Sequence, residues 1–252
     1  MMSFVTSELA LLVAVGFFAQ LVDGALGMAF GLIATTAMLS LGLPPAQASA
    51  ATHTAEVFTT GVSGLSHLYF RNIDRRLLLT LGISGVIGGA LGAYVLSNID
   101  GKAIRPFVAA YLLIVGLLIL MRAFRLSPAG EDARPGQAAP LGLVGGFLDA
   151  IGGGGWGPMV TSTLIGSGHA PRRVIGSVNA AEFFVTVAVS TTFFIELGTA
   201  HLSHIAALVL GGVLAAPFGG FFVRHLRPHV LMGVVGALVA GLAVLQLVQA
   251  FS

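Results

Sequence analysis

The chain has 252 residues, of which 56% are hydrophobic and only 9% are charged, and its mean hydropathy is +0.96. A water-soluble fold of this length cannot bury so much apolar surface, and a formal net charge of +2 is too small to indicate nucleic-acid binding. The absence of cysteine excludes disulfides, thiolate metal sites and thiol chemistry.

Apolar segments near the length of a bilayer crossing recur along the whole chain. They predict an all-α polytopic membrane protein, and the first of them is too long and lacks the basic flank of a cleavable signal peptide. The apolar blocks are 8–41, 46–70, 77–97, 104–124, 140–167, 174–196, 203–223 and 229–250.

A proline- and glycine-containing polar stretch, 125–139, divides the chain at its middle. A shift of 126 residues aligns the two sides of this stretch without a gap for about forty positions, which indicates a duplication. Under this shift Asp23 falls on Asp149, and Glu56 falls on Glu182. We therefore expect a first transmembrane repeat at 1–124, a cytoplasmic linker at 125–139 and a second repeat at 140–252.

The first block of each half is interrupted by glycines, at 22–31 and at 149–158. As one straight helix, block 8–41 would be about 51 Å long, well beyond a hydrocarbon core of about 30 Å. The sequence therefore predicts that each first block is a hairpin of two short helices.

The distribution of basic residues supports this hairpin. If each first block returns to its own side, ten arginines share one side, and only Lys102 and Arg105 lie opposite. Because basic loops stay cytoplasmic, this predicts inverted repeats in the inner membrane, with both termini outside the cytoplasm. The ten are Arg71, Arg75, Arg76, Arg122, Arg125, Arg134, Arg172, Arg173, Arg224 and Arg227.

Glycine-rich breaks in membrane helices expose backbone amides, which must line a cavity or be buried in protein. A half-helix that starts after Gly27 or Gly153 would direct its amides and its positive dipole end at an anion. The alternative is that the glycines only permit close packing. The expected substrate-binding residues are Gly27, Met28, Thr35, Thr52, His53, Gly153, Gly154, Trp156, Thr161, Ser177 and Asn179.

Four acidic residues lie at equivalent places in the two halves. Glu56 and Glu182 stand three residues after His53 and Asn179, on the same helix face, and polar groups inside a bilayer are functional candidates. They either couple transport to protons or bridge helices. Asp23 and Asp149 lie at the breaks, where capping of the following half-helix or carriage of a proton fits better than contact with an anion.

The two halves resemble one known family. The resemblance rests on GFFAQLVDGALGMAFG with LGLPPAQASAATH, and on GGFLDAIGGGGWGP with SGHAPRRVIGSVN. These segments are similar to the TauE/SafE family of sulfite and organosulfonate exporters. The resemblance covers nearly the whole chain and implies export of small sulfur-containing anions. The first half departs from the pattern, since Met28, Ala29 and Phe30 stand where a glycine run is expected.

Several functions remain open at the level of sequence. A secondary transporter with no cofactor or metal is favoured, whereas an anion channel is the alternative, because sequence does not separate a pore from alternating access. Gly61-Val62-Ser63-Gly64 near His67 resembles an intramembrane serine protease, but the serine and the histidine share one helix. Gly85-xxx-Gly89 and Gly88-xxx-Gly92 allow packing within one chain or between two chains of a homodimer.

Overall fold

The computed structural model describes residues 2–26, 28–124, 136–198, 202–225 and 228–251, and these ranges are helical apart from short turns. The first half contains α1 (Met2–Leu26), α2 (Phe30–Ser40), α3 (Pro45–Tyr69), α4 (Arg75–Ser97) and α5 (Gly101–Phe124). The second half contains α6 (Ala138–Gly152), a π-helical turn (Gly157–Thr161), α7 (Ser162–Gly166), α8 (Pro171–Leu197), α9 (Leu202–His225) and α10 (Pro228–Phe251).

Both predicted interruptions are present. The backbone of Gly153, Gly154 and Gly155 has φ values of 68°, 152° and 132°, a region that only glycine enters without strain. In the first half, Ala29 has φ 94° and precedes the start of α2. Helix therefore ends and restarts inside each first block, as the glycines predict.

The two first blocks are not equally short, which corrects the prediction of paired short helices. α1 has 25 residues, about 37 Å at 1.5 Å per residue, so it is long enough to cross the hydrocarbon core by itself. α6 has 15 residues and α2 has 11, so each reaches only part of the way. The difference arises because α1 begins at Met2, before the apolar block, whereas α6 begins only at Ala138, near the end of the polar linker.

Glycines bring the helices of the two halves into close contact. A Cβ atom placed on Gly85 would lie 2.6 Å from the Trp156 ring, and one placed on Gly92 would lie 3.0 Å from the Ala150 side chain. Gly88 and Gly89 likewise face Leu143 and Val189. The small-residue repeat of α4 therefore packs within the chain, against α6 and α8.

The main helix pairs cross the boundary between the halves. α1 packs most extensively against α9, and α6 packs most extensively against α4. α5 packs against α10, and α3 packs against α8. The 126-residue shift carries α1 onto α6 and α4 onto α9, so the α1–α9 pair is equivalent to the α6–α4 pair. The shift also carries α5 onto α10 and α3 onto α8, so each of these two pairs joins equivalent helices.

Large apolar side chains cover the outside of the bundle. On α4, Leu79, Ile83, Ile87 and Leu91 are exposed at four-residue spacing, opposite the buried glycine face. Such a surface fits lipid better than water. Among the described residues, the helices long and apolar enough to cross a membrane are 75–97, 101–124, 173–197 and 229–250.

Candidate functional site

An aspartate closes each break. In the second half, the Trp156 amide donates to Asp149 Oδ1 at 2.8 Å. In the first half, the Phe30 amide donates to Asp23 Oδ1 at 3.4 Å, across the same separation of seven residues. Both aspartates thus satisfy an amide at the start of the following helical segment, the capping contact that their positions predict.

The two breaks lie against each other. The Thr35 hydroxyl of α2 donates to the carbonyl oxygen of Gly153. A Cβ atom placed on Gly31 would lie 2.9 Å from Gly154 Cα and 2.7 Å from Glu56 Oε1. The Glu56 carboxylate thus lies beside the first turn of α2, which contains Gly31. The start of α2, the second break and the Glu56 carboxylate therefore form one buried region.

His53 connects α3 to the second break. Its Nε2 lies 3.1 Å from Asp149 Oδ2, and its Nδ1 lies 2.9 Å from the Ser49 carbonyl oxygen. The Ser49 hydroxyl donates to the Ala150 carbonyl oxygen at 2.6 Å. Thr52, one turn after Ser49 on α3, lies with its hydroxyl oxygen 2.8 Å from the hydroxyl oxygen of Thr35 on α2. Ser49, Thr52 and His53 are completely buried, so the network lies inside the protein.

Both ring nitrogens of His53 have partners. Nδ1 lies 2.9 Å from the Ser49 carbonyl oxygen and 3.2 Å from the Ser49 hydroxyl, and Nε2 faces the Asp149 carboxylate. These contacts hold the imidazole ring between α3 and the second break.

Four carboxyl groups share this interior. Glu56 interacts electrostatically with Glu182, Asp149 and Asp23, and Glu182 interacts with both aspartates. His53 is the basic partner that contacts this set among the described side chains. With all four groups ionised, the region would repel an anion. The described residues contain no group of histidine and acidic side chains arranged to hold a metal ion.

The structure brings together part of the predicted site. Thr35, Thr52, His53, Gly153 and Gly154 meet at the breaks, together with Glu56 and Asp149. Thr161 is buried nearby on the π turn, and its hydroxyl has no protein partner among the described residues. The π turn itself follows the second break directly, and such turns occur frequently at functional sites.

Other predicted residues have different surroundings. Trp156 is fully buried, and its Nε1 donates to the Val178 carbonyl at 3.3 Å, so its ring anchors the break. Ser177 Oγ accepts the Asp74 amide at 2.8 Å, in the turn before α4. Met28 is partly buried against the apolar core. Gly27 lies outside the described residues.

The two halves differ at the histidine position. Asn179, the equivalent of His53, accepts a hydrogen bond from Ser63 Oγ at 3.0 Å and donates to the Ile175 carbonyl. Ser63 is therefore engaged with Asn179, and His67 Nδ1 lies 3.3 Å from Asn72 Nδ2. These contacts do not form a serine–histidine pair, so the geometry gives no support to the protease alternative.

Sequence reasoning missed two side chains that hold the second break. Tyr111 donates from its hydroxyl to the Gly154 carbonyl oxygen at 3.0 Å. Arg122 donates to the Pro158 carbonyl oxygen at 2.7 Å. Neither has an equivalent in the other half, since the 126-residue shift carries them to Ala237 and Val248. The available signal was a polar side chain within an otherwise apolar helix.

Known proteins are similar to this chain along most of its length. The family model described as Sulfite exporter TauE/SafE matches residues 12–246. The "Probable membrane transporter protein YtnM" of Bacillus subtilis (strain 168) is 40% identical over 239 residues, 92% of this chain and 78% of the relative. The "Probable membrane transporter protein ORF9" of Sinorhizobium sp is 26% identical over 210 residues, 82% and 74% of the two chains. No solved structure matches the chain.

Proposed function

Because this multi-pass membrane protein belongs to the sulfite exporter TauE/SafE family, we propose that it is a secondary transporter that exports small sulfur-containing anions such as sulfite or organosulfonates. The observation that carries this proposal is the meeting of the start of α2 with the second break, beside Glu56, His53 and Asp149. Amides at helix starts and neutral hydroxyls are the groups that bind an oxyanion without a metal.

Carboxylates lie at the amides that would bind the anion. Glu56 Oε1 lies beside Gly31 in the first turn of α2, and Asp149 accepts a hydrogen bond from the Trp156 amide. A protonated Glu56 binds an amide less strongly than the ionised form does, because the charge is lost. Protonation would therefore weaken the attraction between Glu56 and the amides at the start of α2, and it would remove one negative charge at the same step. Anion and proton would enter the site together, which is the coupling that we propose. Export then runs down the outward concentration gradient of the anion and carries a proton with it.

The repeat architecture supplies the two states of the transporter. We infer that residues 1–124 and 140–252 are inverted repeats joined by a cytoplasmic linker, in the inner membrane, with both termini outside the cytoplasm. The exchanged pairing of α1 with α9 and α6 with α4 supports this arrangement. Rocking of one repeat against the other would expose the breaks to each side in turn.

Flux measurements in liposomes test the proposal. We expect the purified protein to carry radiolabelled sulfite or a short sulfonate, and an inward proton gradient to accelerate the flux. Glu56→Gln and Glu182→Gln should each abolish the dependence on the proton gradient. Glu196→Gln is the matched control, because Glu196 is an exposed carboxylate at the end of α8 and should leave flux unchanged.

The same liposomes separate a carrier from a channel. A carrier exchanges labelled for unlabelled anion faster when unlabelled anion is present on the far side, whereas a channel shows no such acceleration. Absence of flux for sulfite, sulfate and sulfonate alike would contradict the proposed substrate class. Flux that keeps its proton dependence in both glutamine variants would remove Glu56 and Glu182 from the coupling.

A further inference from the structure

A polar cavity lies away from the breaks, where α4, α6 and α8 begin. Its volume is about 450 Å³, and it is lined by side chains of all three helices and of the turn that follows α7. The polar side chains at its wall are Asp74, Arg76, Thr80, His169 and Arg173. None of them belongs to the network around His53. The cavity is therefore a separate place, and it has the volume of a small-molecule site.

The basic residues of this cavity stand where a helix does not favour them. Arg76 lies in the first turn of α4, and Arg173 lies in the first turn of α8. The start of a helix carries partial positive charge, so a cation there raises the energy of the folded state unless an anion is near. Both side chains are exposed at the cavity rather than paired in an ion pair between described residues.

Little negative charge offsets these cations. Among the described lining residues, Asp74 is the acidic one, and its Oδ1 already accepts the amides of Arg76 and Leu77. Gln137 and Ala170, which precede α6 and α8, provide no side-chain hydrogen bond to their helices. His169 Nδ1 donates to the Leu164 carbonyl oxygen, which fixes the ring at the wall.

We propose that this cavity is a peripheral binding site for a small oxyanion with two negative charges, of the sulfate or phosphate-ester kind. Arg76 and Arg173 bind its oxygens from two helices, and His169 adds a third polar contact. The anion offsets the repulsion between the arginines and the helix starts. The cavity is larger than one oxyanion, so a short organic group fits beside the charged end. The proposal stands independently of transport through the breaks.

The preference of basic residues for the cytoplasmic side is the competing explanation for these arginines. It predicts that all arginines of this face are equivalent. The anion site predicts that Arg76 and Arg173, which line the cavity, differ from Arg75, which is exposed beside Arg76 and does not line it. Arg75→Gln is therefore the matched control.

Calorimetric titration of the detergent-purified protein with sodium sulfate, at constant ionic strength, distinguishes the two explanations. We expect saturable binding in the wild type and in Arg75→Gln, and roughly tenfold weaker binding in the Arg76→Gln/Arg173→Gln double variant, since charge-assisted hydrogen bonds are lost. Equal binding in the double variant and in Arg75→Gln, or no binding in the wild type, would overturn the proposal.

A second variant guards against loss of folding. Ala139→Glu places a carboxylate at the cavity wall in the first turn of α6, where a negative charge favours the helix. It should weaken sulfate binding while the melting temperature stays the same or rises; unchanged binding would count against the site. In nanodiscs, competition between sulfate and a short-chain soluble phosphatidylglycerol that is lost in the Arg76→Gln/Arg173→Gln variant would identify a lipid phosphate as an occupant. Sulfate binding unaffected by that lipid would identify a free anion.

Discussion

At the scale of single residues, the two breaks share a positive φ at one equivalent position but not the residue type there. Ala29 has φ 94° and stands 126 positions before Gly155, which has φ 132°. A side chain with φ in this range is strained, because Cβ approaches the neighbouring carbonyl oxygen. The first half therefore has a positive φ at this position with alanine, whereas the second half has the glycine that suits it.

This comparison predicts opposite effects for two exchanges. Ala29→Gly should raise the free energy of unfolding by about 1 kcal/mol, because the strain of a non-glycine residue is removed. Gly155→Ala should lower it, since the new Cβ would also meet the Tyr111 hydroxyl. Thermal unfolding in detergent measures both effects. Gly166→Ala is the control, because its Cβ would meet nothing within 4 Å. Destabilisation by Ala29→Gly would show that φ there is not a source of strain.

The sequence indicated some residue roles and left others hidden. Asp149 was expected to cap the segment after its break because an aspartate before a helix start has amides within reach, and Trp156 is such a partner. The contact of Asp149 with His53 spans 96 residues, and no local pattern reports it. The contact of Tyr111, on α5, with the second break is hidden from the sequence for the same reason. Such contacts depend on how helices pack, which one sequence does not specify.

At the scale of elements, α4 has two faces of opposite character. Gly85, Gly88, Gly89 and Gly92 are buried against α6 and α8, whereas large apolar residues face outward. Gly88 lies so close to the backbone of Leu143 that a Cβ there would overlap its carbonyl group. Gly82, on the same helix, has nothing within 4 Å of such a position. Substitutions at Gly88 and Gly82 therefore distinguish the effect of close packing from the effect of glycine on helix stability.

We expect Gly88→Ala to destabilise the protein by roughly 1–3 kcal/mol, because α4 must move away from α6. Gly82→Ala should be neutral or slightly stabilising, since alanine favours helix and meets no neighbour. Thermal unfolding of the two variants in the same detergent provides the comparison. An equal loss in both would mean that helix propensity, rather than contact with Leu143, determines the effect.

Element positions were more predictable than element ends. Apolar blocks located every long helix, because contact with lipid and with the bundle interior both require apolar residues. The length of α1 was not evident, since its first turns lie before the apolar run. The π turn at Gly157–Thr161 was not evident either. Its hydrogen bonds depend on how Pro158, which lacks an amide hydrogen, is placed after the break.

At the scale of the whole molecule, the most extensive helix contacts join the two halves rather than helices that are adjacent in sequence. α1 and α6 each leave their own half to pack against α9 and α4. Neither half therefore completes its packing alone. The contact between the start of α2 and the second break likewise crosses from one half to the other, which suits a site formed by both halves. The duplication was visible in the sequence, but the exchange was not, because it concerns which helices touch.

The orientation of the halves gives the last prediction. The turn between α4 and α5 and the turn between α9 and α10 are equivalent under the 126-residue shift, so inverted repeats would place them on opposite sides of the membrane. The chain has no cysteine, which makes single-cysteine labelling clean. We expect Ile99→Cys to react with a membrane-impermeant maleimide in intact cells and His229→Cys to react only after the membrane is opened. Both side chains are exposed. Labelling of both from the same side would instead establish parallel repeats. The proposed alternating access, in which the two inverted repeats exchange conformations, would then be wrong.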